Sequence, residues 1–177
     1  HLSSLSYLNK NTEIGLNIKD LENHTDGLFC FIGGELNPLL FLYNENKETD
    51  DFLKNLKSLY KENLLIELQR INDNELDSFE SYLIKISAQN NIPLIGTNNI
   101  KFGEEEEFSA HDALLCIAQK TTINSGSRKT SNNQIAFKNN KQMIDLFSDI
   151  PEIIENNFNI AISCSYYPKE VLPKLPK

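Results

Sequence analysis

The run Asn91–Ile117, NIPLIGTNNIKFGEEEEFSAHDALLCI, decides the reading of this chain. Pro93–Gly96 has the apolar character of a short buried strand, and Thr97 to Lys101 form a polar turn at its carboxyl end. An acidic run, Glu104–Glu107, follows, and then a helix over Ser109–Ala118 with Ser109 placed as its N-cap. In α/β proteins the carboxyl ends of strands carry the binding and catalytic groups. This strand ends in Asn99 and Lys101. A neutral amide is a weak metal ligand and a protonated lysine repels a cation.

Upstream, two further apolar runs have strand character: Leu28–Ile32, closed by Gly33-Gly34, and Leu64–Leu68. Between the runs lie helical patterns. Asp50–Glu62 carries Phe52, Leu53, Leu56, Leu59 and Tyr60 on a stripe, with Thr49 as a candidate cap. Asp77–Asn90 places Phe79, Tyr82, Leu83 and Ile86 on one face. Strand, helix, strand, helix, strand predicts parallel strands with crossover helices. Leu2–Leu8 reads as the end of a helix whose start is missing. Asn140–Phe147 and Pro151–Ser163 form a helical pair, with Pro151 at the first helical position, and Tyr166–Lys177 is proline-rich and extended. Three strands are few for a closed barrel, which needs about eight in ~250 residues. The reading is an incomplete α/β barrel followed by a helical C-terminal segment. Residues 1–108 form the barrel part and 109–177 the helical segment. Missing strands would leave an edge and an apolar face, so self-association is expected.

The bulk numbers exclude several classes. The 177 residues are enough for one domain with a core, 40% are hydrophobic, and no apolar run approaches a bilayer span. The opening residues show no signal-peptide pattern, and His1 in place of an initiator methionine suggests a fragment or a processed chain. Cys30, Cys116 and Cys164 are widely spaced, without zinc spacing, and fit three reduced, buried thiols in a cytoplasmic protein. The net charge of −8 opposes nonspecific nucleic-acid binding by the whole surface. Between Asp112 and Asp145, however, there is no acid, while Lys120, Arg128, Lys129, Lys138 and Lys141 occur there. This Ser-, Thr- and Asn-rich stretch reads as a solvated loop, or as one that touches DNA phosphates through Lys120, Arg128, Lys129 and Lys138.

The other strand ends offer Gly33-Gly34-Glu35 and Glu67-Leu68-Gln69-Arg70. The paired glycines lack dinucleotide or P-loop spacing and fit a tight turn. Glu67 lies within an apolar strand, where its charge needs a partner: either a structural ion pair or a site carboxylate. Four consecutive acids point in different directions and fit a solvated turn leading a helix. His111 has no nucleophile close in sequence, and no metal triad is visible.

The motifs resemble those of the family of bacterial DNA polymerase III alpha subunits. The family's strand-end motif, roughly P-[LV]-[VI]-A-T-N-D-x-[HR]-[FY], is matched by Pro93–Phe102. Its A-H-D-x-L-L-C-I is matched by Ala110–Ile117, and its F-x-D-[LI]-P-E-A-[LI]-x-N-T by Phe147–Asn157. LLIELQR and GLFCFIGGEL are weaker, collinear matches, so the resemblance covers nearly the whole chain in order. It implies the later part of a PHP domain, a distorted (β/α)7 barrel with mainly parallel strands, and the join to the polymerase body. Metal-bearing PHP domains close their site with Asp and His where this chain has Asn99 and Lys101, and many relatives carry Cys where it has Gly34. The family's His-x-His motif is not found in this sequence. The resemblance therefore implies a degenerate site without metal, while the parent chain would extend primers with magnesium. Implied partners are the rest of the alpha chain, the proofreading exonuclease, other replisome subunits and, through the parent, DNA.

Two readings compete. One is a structural scaffold, in which Lys101 fills the former metal space, paired with a carboxylate such as Glu67. The other is a metal-dependent phosphoesterase or 3′–5′ exonuclease with atypical ligands. That reading needs Glu67, His111 and Asp112 to converge around the space near Lys101.

Overall fold

The computed structural model describes residues 2–8, 16–35 and 37–170. Its centre is a three-stranded parallel sheet in the order β1 (Cys30–Ile32), β2 (Leu64–Gln69), β3 (Leu94–Thr97). The register sets Phe31 beside Leu65, and Ile66 beside Leu94. Each parallel step needs a crossover. The first is made by α3 (Pro38–Asn44) and α4 (Asp50–Tyr60), the second by α5 (Asn74–Asn90). The central strand β2 reads as a nearly continuous apolar run because Leu64, Leu65, Ile66 and Leu68 are all buried. That is the pattern of a strand covered on both faces.

The helices begin and end where local chemistry dictates. Asp73 caps α5 by accepting the N–H groups of Glu75 and Leu76 at 3.0 and 3.2 Å. Asn91 closes it in the left-handed region at φ 50°, a conformation asparagine tolerates. Helix α3 was not legible as a pattern: it is a short apolar run behind Pro38, started by Asn37, whose side chain accepts from Leu39 and Leu40. Three expectations need correction. Strand β1 is shorter than Leu28–Ile32, and Leu28 is exposed. Thr49 precedes α4 without a side-chain cap, since its hydroxyl is hydrogen-bonded to the Tyr82 hydroxyl. Helix α6 (Phe108–Ala118) starts before Ser109, because Glu104–Glu107 already turn. The Glu107 carboxylate accepts from Gly103 and Glu104 and winds that turn into the helix.

The chain continues through an irregular stretch to α7 (Asn140–Leu146) and α8 (Glu152–Ser163), with Pro151 immediately before α8 rather than inside it. Phe147 and Ile153 are fully buried and join the same apolar cluster as Ile66, Phe79 and Leu83. Each such side chain contributes about 1.5–3 kcal/mol by leaving water. Their fit against β3 depends on Gly96: a Cβ there would stand 2.5 Å from a Phe147 ring carbon and 2.7 Å from an Ile153 methyl. Helix α8 also finishes the sheet. The Asn157 amide donates to Gly96 O at 2.7 Å and accepts from Gly96 N at 3.2 Å, and Asn156 donates to Leu94 O at 2.8 Å. Two side chains thus make the hydrogen bonds that a fourth strand would make along this edge. Arg70 ties the same region together, bonding Glu80 on α5 and Asp149 before α8, and lying 5.0 Å over the Phe147 ring.

The run Leu2–Leu8 is helical, as its pattern predicts, and forms α1. A short α2 (Ile18–Leu21) was not anticipated. Of the proline-rich tail, 171–177 lie outside the described residues. The expectation of three buried thiols needs correction: Cys116 is buried, but Cys30 is half-buried and Cys164, just past the end of α8, is exposed. Burial pushes the Cys30 thiol up to about 11.

Candidate functional site

The carboxyl ends of the three strands open on one cleft of about 990 Å³. Asn99, Lys101, His111, Arg128 and Lys129 line it, together with Glu35, which the sequence reading placed at the first strand end without a role. Glu35 stands just beyond Gly33-Gly34. Gly33 has φ 129°, and a Cβ on it would sit 2.4 Å from Glu67 O, so this turn needs glycine to pass close to β2.

Glu35 is the hub of the cleft floor. Its carboxylate accepts from Asn99 Nδ2 at 2.6 Å and lies 3.3 Å from Lys129 Nζ, while its own N–H donates to Gln69 Oε1 at 3.2 Å. The amide at 99 therefore serves as a hydrogen-bond donor to a carboxylate. The neighbouring ammonium comes from the basic stretch, 94 residues away in sequence from Glu35. Glu67, proposed as the partner of Lys101, instead accepts from Thr97 Oγ1 and from Gln69 Nε2 at 3.3 Å. It is held by neutral donors at the strand ends and does not line the cleft. Gly34 packs against it: a Cβ at 34 would be 2.6 Å from Glu67 Oε2. Lys101 donates its backbone N–H to Ile135 O, and its ammonium makes no ion pair among the described residues.

His111 and Asp112, adjacent in sequence, point to different tasks. His111 Nδ1 is hydrogen-bonded to Ser131 Oγ at 2.6 Å, and its ring is 5.3 Å from that of Phe102. Ser131 is the hydroxyl partner that sequence distance concealed, 20 residues downstream. Asp112 is buried and takes two hydrogen bonds from Arg128, both 2.7 Å, and one from Ser131 N at 2.8 Å. These bonds, Arg128 first and the Ser131 N–H second, hold its carboxyl at about 2. Arg128 also donates from Nε to Ile123 O, so its guanidinium is turned inward. Gln119 exchanges two bonds with the Lys129 backbone. The basic stretch is thus fastened onto α6.

Of the four basic residues suggested for DNA, Arg128 and Lys129 line the cleft. Lys138 is half-buried and donates to Gln134 O, with burial lowering its pKa. Lys120 is exposed beyond the end of α6. Among the described residues no three His, Cys, Asp or Glu side chains are grouped to hold a metal ion. An amide and an ammonium, Asn99 and Lys101, stand at the end of β3, and Glu67, His111 and Asp112 each have hydrogen-bond partners within the protein. Among the described residues, no helix is long and apolar enough to cross a membrane.

No protein-family model matches the chain. Individual relatives do. The chain is 33% identical over 180 residues to the DNA polymerase III subunit alpha of Rickettsia bellii, covering 99% of this chain and 15% of that protein. Identity to the subunit of the same name from Caulobacter vibrioides is 28%, again over 99% of this chain and 16% of the relative. For Borreliella burgdorferi it is 30% over 87% of this chain and 14% of the relative. Matched along nearly all its residues to one segment of proteins six to seven times longer, the chain belongs to the family of bacterial DNA polymerase III alpha subunits.

Proposed function

We propose that the chain is the later part of a degenerate PHP-type (β/α)7 barrel, over 1–108, joined through 109–177 to the body of a replicative DNA polymerase. Its role is structural: it supports the polymerase and offers a docking platform for the proofreading exonuclease. The polypeptide of which it is a segment performs DNA-templated primer extension with magnesium, among the other replisome subunits. The observation that carries this reading is the collinear similarity to DNA polymerase III alpha subunits over 99% of the chain. The strand ends support the inactive, scaffolding role, since Asn99 and Lys129 occupy the Glu35 carboxylate. Exposed apolar side chains support it too: Leu114 and Ile117 on α6 and Phe158 on α8 are 62%, 73% and 65% exposed, a surface suited to cover by the rest of a long polypeptide. The residues an atypical phosphoesterase would recruit do not converge. His111 is held by Ser131 and Asp112 by Arg128.

The test has two arms. The first is metal analysis and nuclease and phosphoesterase assays with zinc, manganese or magnesium, on the chain extended upstream. No bound metal and no cleavage are expected. The second is primer extension and exonuclease co-purification with the full polypeptide carrying Asn99→Ala and Lys101→Ala, both expected to persist. Stoichiometric metal with cleavage would overturn the structural reading, as would loss of primer extension in the double variant.

A further inference from the structure

We propose that the outward face of α6 is self-complementary and that a second copy of the chain covers it, α6 lying antiparallel against α6 about a two-fold axis. The scaffold role requires only that exposed apolar surface be covered; this inference goes beyond it by naming the cover. Ala110, Leu114, Ile117 and Ala118 follow the spacing i, i+4, i+7, i+8 and fall on one side of the helix. All four are exposed. The one carboxylate of α6, Asp112, is buried on the other side in its pair with Arg128, and His111 is held by Ser131. The outward face therefore carries no charge, whereas the solvated face of a helix is ordinarily charged or polar. The inward bonds also fix the rotation of the helix, so the apolar face cannot turn away from solvent.

The two ends of the face decide which partner suits it. Glu106, four residues before Ala110, stands at its N-terminal end, and Lys120 is exposed just past its C-terminal end. Neither side chain makes an ion pair among the described residues. A face that is acidic at one end, apolar in the middle and basic at the other complements itself when reversed. An antiparallel pair sets Glu106 of each copy near the partner's Lys120, Ala110 opposite the partner's Ile117, and the two Leu114 side chains beside the axis. Small residues facing large ones let two helices interlock closely, and the opposed helix dipoles attract. A parallel pair would set like charges together instead. The same patch serves both copies, which is the isologous contact of a two-fold dimer. Helix α8 lacks this symmetry: Glu152 and Glu155 lie in its first turn and no base lies in its last, so its exposed Phe158 is left to the rest of the polypeptide. One helix face is at the low end of interface size, so the dimer is weak and concentration-dependent.

The experiment is sedimentation velocity of the 177-residue chain, and of the full polypeptide, between about 5 and 200 μM. Both are expected to pass from monomer toward dimer as concentration rises. Ile117→Asp sets a charge in the apolar face and should abolish the dimer. Ile117 is exposed, so the fold survives the change, and unchanged hydrogen exchange at the Gly96 amide would verify that. Lys120→Glu should weaken dimerisation about tenfold, and Glu106→Lys on the same background should restore it. The proposal is overturned if the 177-residue chain stays monomeric, if Ile117→Asp still dimerises, which would put the contact elsewhere, such as the sheet edge, or if the exchanged charges bring no rescue. A full polypeptide that stays monomeric overturns it too, because the face is then covered from within. That outcome leaves the scaffold role standing, and loss of primer extension in the Asn99 and Lys101 double variant bears on the scaffold role alone.

Discussion

Arg128 grips Asp112 through two parallel hydrogen bonds of 2.7 Å across 16 residues of sequence, and both side chains are largely withdrawn from solvent. The pair turns a Ser- and Asn-rich stretch into a fixed wall of the strand-end cleft. Its geometry is the bidentate fork that only arginine offers a carboxylate. Arg128→Ala removes the fork and leaves Asp112 in a buried place with one remaining donor, Ser131 N. Hydrogen exchange at the Ser131 amide should then accelerate about tenfold or more. Unchanged exchange would mean that the stretch is held by something other than this pair.

The same pair sets a pH window. The Asp112 carboxyl is held at about 2 against an ordinary 3.8, because its charged form accepts from Arg128 and Ser131. A depressed carboxyl favours the folded state in full above the unfolded value, and that contribution fades as pH falls from about 4 toward about 2. A carboxyl-carbon NMR titration should show Asp112 still ionised at pH 3, with Arg128→Ala moving its midpoint upward. A wild-type midpoint near 3.8 would contradict the observed bonds.

Gly96 marks where α8 approaches the sheet most closely. Gly96→Ala drives a methyl to within 2.5 Å of Phe147 and 2.7 Å of Ile153, both fully buried. Overpacking of this kind costs about 1–3 kcal/mol. Urea denaturation should register it as a lowered midpoint at unchanged slope. A neutral result would place α8 farther from β3 than described.

Arg70 is bonded to Glu80 and to Asp149, and its guanidinium donates to Leu146 O. These bonds raise its own pKa and lower that of Asp149, the Arg70 hydrogen bond being the first cause for the latter. Arg70→Lys keeps the charge and loses the fork. The expected loss is about 1–2 kcal/mol, read by thermal unfolding, with partial exposure of the group limiting it. Equal stability of the lysine variant would show that charge alone is what matters there.

The edge bonds of α8 can be tested separately from its packing. Asn157→Ala removes both bonds to Gly96 while leaving Phe147 and Ile153 in place. A loss of about 1–3 kcal/mol is expected, with faster hydrogen exchange at the Gly96 amide. Retained protection at that amide would mean another acceptor serves it.

The elements legible in the sequence were those whose pattern is local. Leu64, Leu65, Ile66 and Leu68 announce a covered strand, and Phe79, Leu83 and Ile86 a buried helical face. The parallel order of the strands followed from their alternation with helices. The cleft was not legible in the same way. Glu35, Asn99 and Lys129 meet from positions 64 and 94 residues apart, and no spacing rule connects them. Ser131 gave no signal either, since a serine in a Ser-rich stretch looks like its neighbours until the chain folds it against His111. Asn99 and Lys101 were recognisable as poor metal ligands from residue type alone. The partner of the first, Glu35 rather than any assigned acid, needed three dimensions.

The asparagines that finish the sheet also fix an order of events in time. Gly96 and Asn157 are separated by 61 residues. At ~5–20 residues per second, a ribosome takes roughly 3–12 s to make the stretch between them. Through that interval β3 has left synthesis with its outer hydrogen-bonding groups unanswered, while β1 and β2 already exist to receive its other side. The clasp arrives late, from the far end of the chain, so the strand that presents Asn99 and Lys101 is the last part of the sheet to become safe from wrong pairing during translation.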